Sequence, residues 1–290
     1  MDFGVTAMGL VVGLVVGLTG MGGGALMTPL LVLFFNVQPL AAVSSDLVAA
    51  VVMKPVGGGV HLKRGTVNLT MVKWLALGSV PSAFVGVLLL RAMGNSDVIQ
   101  SRLKAMLGVA LLVAAASMVV KAVFDRGRAP ASAPVVVRPL PTLAIGVAGG
   151  LIVGMTSVGS GSLMIVLLLF VYPMLGANQL VGTDLTQAVP LTLSAALGAL
   201  VFGHVEFGVT TSLILGSVPA VLVGSLLSST VPDRVVRPVI AFVIFASGLK
   251  YVGLSTTALG WTLCVVLLAA GILWLVFARP WRREPERAPV

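Results

Sequence analysis

Two glycine-rich sextets, Thr19-Gly20-Met21-Gly22-Gly23-Gly24 and Thr156-Ser157-Val158-Gly159-Ser160-Gly161, stand 137 positions apart, and each interrupts a long apolar stretch. The reactive group in such a segment is the backbone itself. Glycine lets a ligand approach the main chain closely. A helix that begins at the break leaves its first amide hydrogens without intrahelical acceptors, and its dipole adds the equivalent of about half a positive charge. That combination coordinates anions. Gly22, Gly23, Gly24, Gly159 and Gly161 would supply close backbone approach, and Thr19, Thr156, Ser157, Ser160 and Ser162 hydroxyl donors. The competing reading is that these small residues only let helices pack tightly in lipid.

Lys54 lies inside the next apolar segment, eight residues after Asp46 and so on roughly the same helical face. An ionisable side chain at that depth faces an aqueous path or a partner. Lys54 is therefore read as a direct anion ligand, with pairing to Asp46 or snorkelling to the interface as the alternatives. Asp46 follows Ser44-Ser45 and Asp184 follows Thr183, so each is expected to begin a helix, and N-capping is the first role to weigh. The second is proton coupling, because a carboxylate partly withdrawn from water can load and release a proton. His61 reads as a helix-end anchor beside Lys63 and Arg64, and His204 and Glu206 read as a short outer turn. Two separated histidines and the single cysteine cannot assemble a zinc site, so no metal and no cofactor is called for.

These residues must be held by membrane-spanning helices. Hydrophobic residues make up 58% of the 290 and charged ones 9%, which leaves too little polar surface for a soluble domain. The formal charge of +9 sits in short loops and at the C-terminus, a pattern that encodes topology instead of nucleic-acid binding. Cys264 falls in an apolar run, where core packing is its expected role. Asp2 stands where a signal peptide would be basic, so the first apolar run is expected to be retained. Segments long enough to span fall near 40–60, 70–90, 103–122, 179–202, 209–228, 235–250 and 257–278. The interrupted stretches 4–35 and 140–172 are too long for one straight helix and too short for two ordinary ones.

The chain also repeats itself. At an offset of 137, Gly13 meets Gly150, Gly17 meets Gly154 and Thr19 meets Thr156; at 138, Asp46-Leu47 meets Asp184-Leu185 and Gly78-Ser79-Val80-Pro81 meets Gly216-Ser217-Val218-Pro219. Identical Gly, Pro, Thr and Asp positions mark a duplicated unit. Lys54 pairs with Thr192, so the site is expected to be asymmetric. If both interrupted stretches turn back as hairpins, the loop cations divide 13 against 4, whereas crossing stretches leave them nearly even. The expected fold is therefore an all-α polytopic membrane protein of two inverted repeats. Each repeat is a glycine-broken helical hairpin plus three transmembrane helices, and one extra C-terminal span follows. Residues 1–124 form the first repeat, 125–139 a cytoplasmic linker, 140–256 the second repeat, 257–278 the additional span and 279–290 a basic cytoplasmic tail. The N-terminus is expected outside.

Gly20-Met21-Gly22-Gly23-Gly24, Ser45-Asp46-Leu47 and His61-Leu62-Lys63-Arg64-Gly65-Thr66-Val67, with Gly182-Thr183-Asp184 and Gly203-His204-Val205, resemble the TauE/SafE family of sulfite exporter-like permeases over about residues 10–252. The resemblance implies a secondary transporter that moves sulfite, a sulfonate such as sulfoacetate or a related small anion across the inner membrane, with export as the first direction. The expected mechanism is a rocking of the two halves about the hairpin tips, powered by the proton-motive force. Its partners are that sulfur anion and the lipid bilayer, with no nucleic acid; a homodimer stays open. An anion channel built on the same site is the nearest alternative. An intramembrane aspartyl enzyme is disfavoured, because inversion would place Asp46 and Asp184 toward opposite membrane faces.

Overall fold

A computed structural model describes residues 2–19, 23–63, 65, 67–94, 97–125, 136–175, 177–227 and 233–277. Among them the chain forms helices and short connections, without strands. In order these are α1 (Phe3–Thr19), α2 (Gly24–Phe34), α3 (Pro39–Lys63), α4 (Leu69–Ala92), α5 (Asp97–Asp125), α6 (Pro139–Thr156), α7 (Leu163–Val171), α8 (Ala177–Phe202), α9 (Phe207–Leu227), α10 (Asp233–Tyr251) and α11 (Thr256–Phe277). Both interrupted stretches are broken where the glycines fall, giving α1/α2 and α6/α7.

Six helical segments among the described residues are long and apolar enough to cross a bilayer: Pro39–Val60, Leu69–Ala92, Val98–Val120, Pro139–Thr156, Gln179–Phe202 and Phe207–Leu227. Five coincide with expected spans. The sixth is α6, expected only as one arm of a hairpin, and its 18 residues reach spanning length. The expected spans at 235–250 and 257–278 are helical as α10 and α11, but their described apolar portions, Pro238–Tyr251 and Thr256–Leu268, are shorter. The linker residues 126–135 and the tail 279–290 lie outside the described residues.

The two halves interlock. α1 packs along α9, and α6 packs along α4, which is the same contact with the halves exchanged; α3 with α8 and α5 with α10 each pair equivalent helices. Glycine makes the two long seams possible. A Cβ on Gly17 would fall 2.9 Å from Gly224 Cα, and one on Gly86 would fall 3.1 Å from Gly154 Cα, so the main chains themselves touch. Small residues at such crossings let backbones approach until dispersion contacts, not a hydrophobic gradient, hold the helices together. Hydrogen bonds repeat the symmetry: Ser45 Oγ accepts from Glu206 N and Thr183 Oγ1 from Asn68 N, each at 3.1 Å. These pairs coincide at the repeat offset of 138.

α3 is the most enclosed of the candidate spans, and α8 follows it. α11 packs on α10, and there Cys264 is exposed. The expected core role for this cysteine is thus corrected: an apolar run on a peripheral helix faces lipid as readily as core.

Candidate functional site

The first break lies between Thr19, which ends α1, and Gly24, which begins α2. Gly22, assigned to the site from sequence, lies with Gly20 and Met21 outside the described residues. Gly23 precedes the helix, and its carbonyl accepts from Leu26 N at 2.9 Å and Met27 N at 2.8 Å. In the second break Ser157 adopts a left-handed conformation with φ 57°, followed by Gly159 at φ 126° and Gly161 at φ 95°. Side chains resist those last two conformations, which is why glycine occupies both. Ser162 then leads into α7.

The breaks meet. A Cβ on Gly24 would sit 1.8 Å from the Ser157 carbonyl oxygen, so the start of α2 rests directly on the second break. Around this contact the polar groups are buried and linked. Asp46 Oδ2 accepts from Ser157 Oγ at 2.7 Å and from Thr28 Oγ1 at 3.0 Å, tying α3 to α2 and to the second break. Its Oδ1 is buried with no hydrogen-bond partner among the described residues. Lys54 Nζ, one helix face along, donates to Ser160 Oγ at 2.6 Å. The ammonium interacts electrostatically with both Asp184 and Asp46. On α8, Gln187 Nε2 donates to Asp184 Oδ1 at 3.3 Å and to Met164 Sδ at 2.7 Å, while its Oε1 accepts from Ser79 Oγ.

Three sequence expectations change here. Asp46 and Asp184 do not cap helices: α3 begins at Pro39 and α8 at Ala177, which puts each carboxylate in a helix interior, almost fully buried. Ser44, Ser45 and Thr183, the residues just before them, accept amides from loops of the opposite half. Next, α3 and α8 pack together, so both carboxylates act on one ammonium, although inversion had suggested that they stand apart. Finally, the Thr19 and Thr156 hydroxyls donate back to the carbonyls of Val15 and Ile152 at 2.7 and 2.6 Å, so those protons are engaged by their own helices. His204 is exposed in the turn before α9, as expected, while the His61 side chain lies outside the described residues.

A narrow cavity opens beside the two breaks. Thr19, Ala25 and Leu26 line it from the first, Ser160 and Ser162 from the second, and Met118, Ile240 and Ile244 close it from α5 and α10. Ser162 Oγ is buried there with no hydrogen-bond partner among the described residues. Thr28 and Gln187 escaped the sequence reading. Gln187 had a usable signal, one helical turn beyond Asp184; Thr28 had none, because its partner is 18 residues away. No group of three or more His, Cys, Asp or Glu among the described residues is placed to hold a metal ion.

A model of the sulfite exporter TauE/SafE family matches residues 5–251, from the start of α1 to the end of α10. The chain belongs to the TauE/SafE family. A relative in Bacillus subtilis (strain 168), named "Probable membrane transporter protein YjnA", is 38% identical over 256 residues, which cover 87% of this chain and 100% of its own length. No solved structure matches. This TauE/SafE chain is accordingly a multi-pass membrane transporter, and its relatives point away from an enzyme. The matched region contains both breaks, Asp46, Lys54 and Asp184 and ends before α11.

Proposed function

We propose that this chain is a secondary transporter that exports a small sulfur-containing anion, such as sulfite or a sulfonate, across the inner membrane. The observation that carries the reading is the buried hydrogen bond from Lys54 Nζ to Ser160 Oγ, beside the start of α7. Lys54 and the starts of α2 and α7 lie where the two breaks touch, and Ser162, whose hydroxyl has no partner among the described residues, lines the narrow cavity beside them. A charged ammonium and a hydroxyl with no partner among the described residues are costly to bury in a membrane unless an acceptor arrives.

Asp46 and Asp184 supply the coupling. Two ionised carboxylates against one ammonium leave the trio with a surplus negative charge, which opposes an incoming anion. A proton on either carboxylate removes the surplus and leaves Lys54 to pair with the passenger. In this reading Thr19, Gly23, Gly24, Thr156, Ser157, Gly159, Ser160 and Gly161 surround the anion path. The topology remains that of inverted repeats, with residues 1–124 and 140–256 as the two units, the N-terminus outside and the C-terminus cytoplasmic.

The moving bodies are not the two sequence halves. α1 with α9 and α4 with α6 join the halves through backbone-to-backbone seams, which a rocking of one half against the other would have to tear. The cavity lies instead between the breaks and the α5–α10 pair, so access alternates as that pair shifts against the remaining bundle. The test is reconstitution in liposomes: saturable uptake and counterflow of labelled sulfite are expected, and ungated electrodiffusive current would replace the carrier with a channel.

A further inference from the structure

Asp46 and Asp184 hold the same place in the repeat, at an offset of 138, yet their surroundings differ. Gln187 stands one turn after Asp184 on α8, and chemistry settles which way its amide points. Met164 Sδ, 2.7 Å away, is a thioether that can only accept, so the amide nitrogen must face it, and the same nitrogen donates to Asp184 Oδ1 at 3.3 Å. Ser79 Oγ of α4 holds the carbonyl end at 3.2 Å. An amide N–H offers no acceptor to a carboxylic acid, so Gln187 serves only the ionised form of Asp184.

The first half repeats this arrangement without its amide. Met27 matches Met164 at 137, and Asp46 and Ser217 match Asp184 and Ser79 at 138, but Ala49 stands where Gln187 would. Ser217 Oγ, buried in α9 as Ser79 is in α4, has no hydrogen-bond partner among the described residues. Asp46 relies instead on Ser157 and Thr28, whose repeat counterparts, Gly20 and Ile165, carry no hydroxyl. A hydroxyl both donates and accepts, so it can serve a carboxylate and, turned about its C–O bond, a carboxylic acid. Asp46 Oδ1 has no donor among the described residues, and a buried anionic oxygen without one is penalised. Lys54 adds to the difference, because its ammonium interacts more strongly with Asp184 than with Asp46. Other ionisable groups are few on the helices packed against α3. α2, α6 and α9 have none, and on α5 Arg102 and Lys104 are exposed while Asp97, Lys121 and Asp125 lie toward its ends; on α3 itself His61 and Lys63 close the helix.

Resting on the coupling reading above, we propose that the two equivalent carboxylates have divided roles: Asp184 is the standing counter-ion of Lys54, kept ionised by the positioning residue Gln187, and Asp46 carries the coupling proton. Ala49 in place of an amide leaves one copy of the duplicated arrangement open to proton exchange. Because Ser157 belongs to the second break and donates to Asp46 Oδ2, a proton on that oxygen reverses the hydrogen bond that ties α3 to the break.

The experiment is infrared difference spectroscopy of the purified full-length protein in liposomes, read at the C=O stretch of a buried protonated carboxyl as pH is lowered. Wild-type protein is expected to gain this band and Asp46→Asn to lose it. Asp184→Asn is expected to keep it at lower pH, because Asp46 then faces Lys54 without a second carboxylate beside it. Labelling with an apolar carbodiimide, which attacks buried protonated carboxyls, maps the proton in wild-type protein without any substitution. Adducts located by mass spectrometry should fall on Asp46 in excess of Asp184, and Gln187→Leu should spread them to both. A band kept in Asp46→Asn and lost in Asp184→Asn, or adducts mainly on Asp184 in wild-type protein, would reverse the assignment. A band absent from wild type, or lost or kept in both variants, would remove the single carrier, and adducts still confined to Asp46 in Gln187→Leu would return Gln187 to packing. No passenger anion is present in these measurements, so absent sulfite flux would count against the anion reading and leave the proton assignment standing.

Discussion

Lys54 Nζ lies 2.6 Å from Ser160 Oγ, a hydrogen bond that joins the middle of α3 to the break between α6 and α7 across 106 positions of sequence. Lys54 belongs to the first half and Ser160 to the second, so the proposed anion site is built where the halves meet. Replacing Lys54 by Met removes a charge-assisted donor from a buried site, an effect of about 1.5–3 kcal/mol. Anion affinity is expected to fall roughly 10- to 100-fold. Arg102→Met, on the exposed face of α5, should change it little. Equal losses in the two variants, read by ligand titration, would take Lys54 out of the site.

A second expectation follows from charge balance around that ammonium. Because Asp46 and Asp184 together outweigh Lys54 when all three are ionised, anion flux into liposomes should increase as pH is lowered. Asp46→Asn keeps an acceptor for Ser157 and Thr28 but cannot carry a proton, and Asp184→Asn likewise keeps an acceptor for Gln187. Either variant is expected to flatten the pH profile. A profile that keeps its wild-type slope in both would return the carboxylates to a purely structural role.

Much of this arrangement was legible in the chain before any coordinates. The breaks were visible because Gly159 and Gly161 stand in a run otherwise fit for helix, and the duplication because Thr19/Thr156 and Asp46/Asp184 recur at offsets of 137 and 138. Helix starts were less legible. Ser44, Ser45 and Thr183 look like caps locally, yet their acceptors serve Glu206, His204 and Asn68, residues far away in sequence. A local signal cannot distinguish a hydroxyl that caps its own helix from one that pins a distant loop. The packing of α1 on α9 was likewise hidden, because glycine spacing marks a close-contact face without naming the helix that will meet it.

The glycine seams should divide glycine-to-alanine substitutions into two classes. A Cβ at Gly154 would lie 2.1 Å from the Ala83 carbonyl oxygen, and one at Gly17 2.4 Å from that of Val221. Backbone cannot swing aside, so both helices must shift, which costs about 1–3 kcal/mol or more. Gly57 and Gly59 have nothing within 4 Å of the added carbon, and α3 should gain about 0.5–1 kcal/mol at each from the better helix former. Thermal unfolding in detergent is expected to shift down for Gly17→Ala and Gly154→Ala and to hold or rise for Gly57→Ala and Gly59→Ala. Uniform loss across the four would mean that the seams are no tighter than the rest of the bundle.

The interlocked halves make a prediction that separates two kinds of alternating access. A Cβ on Gly9 would lie 3.5 Å from Leu213 Cα, so cysteines at these positions are close enough to bridge α1 and α9. The bridge joins the first sequence half to the second. If the halves rocked against one another, oxidation would stop counterflow and reduction would restore it. If α1 and α9 belong to one rigid body and the α5–α10 pair moves against it, oxidised protein should retain most of its reduced-state rate. The measurement is made in a Cys264→Ser background, whose replaced thiol is exposed on α11 and remote from the breaks in sequence. Crosslinking is verified by mobility shift, and each preparation serves as its own reduced control. Loss of counterflow only in the oxidised sample would restore the two halves as the moving bodies, whereas retention would leave the pairing of equivalent helices α5 and α10 as the element that opens the cavity.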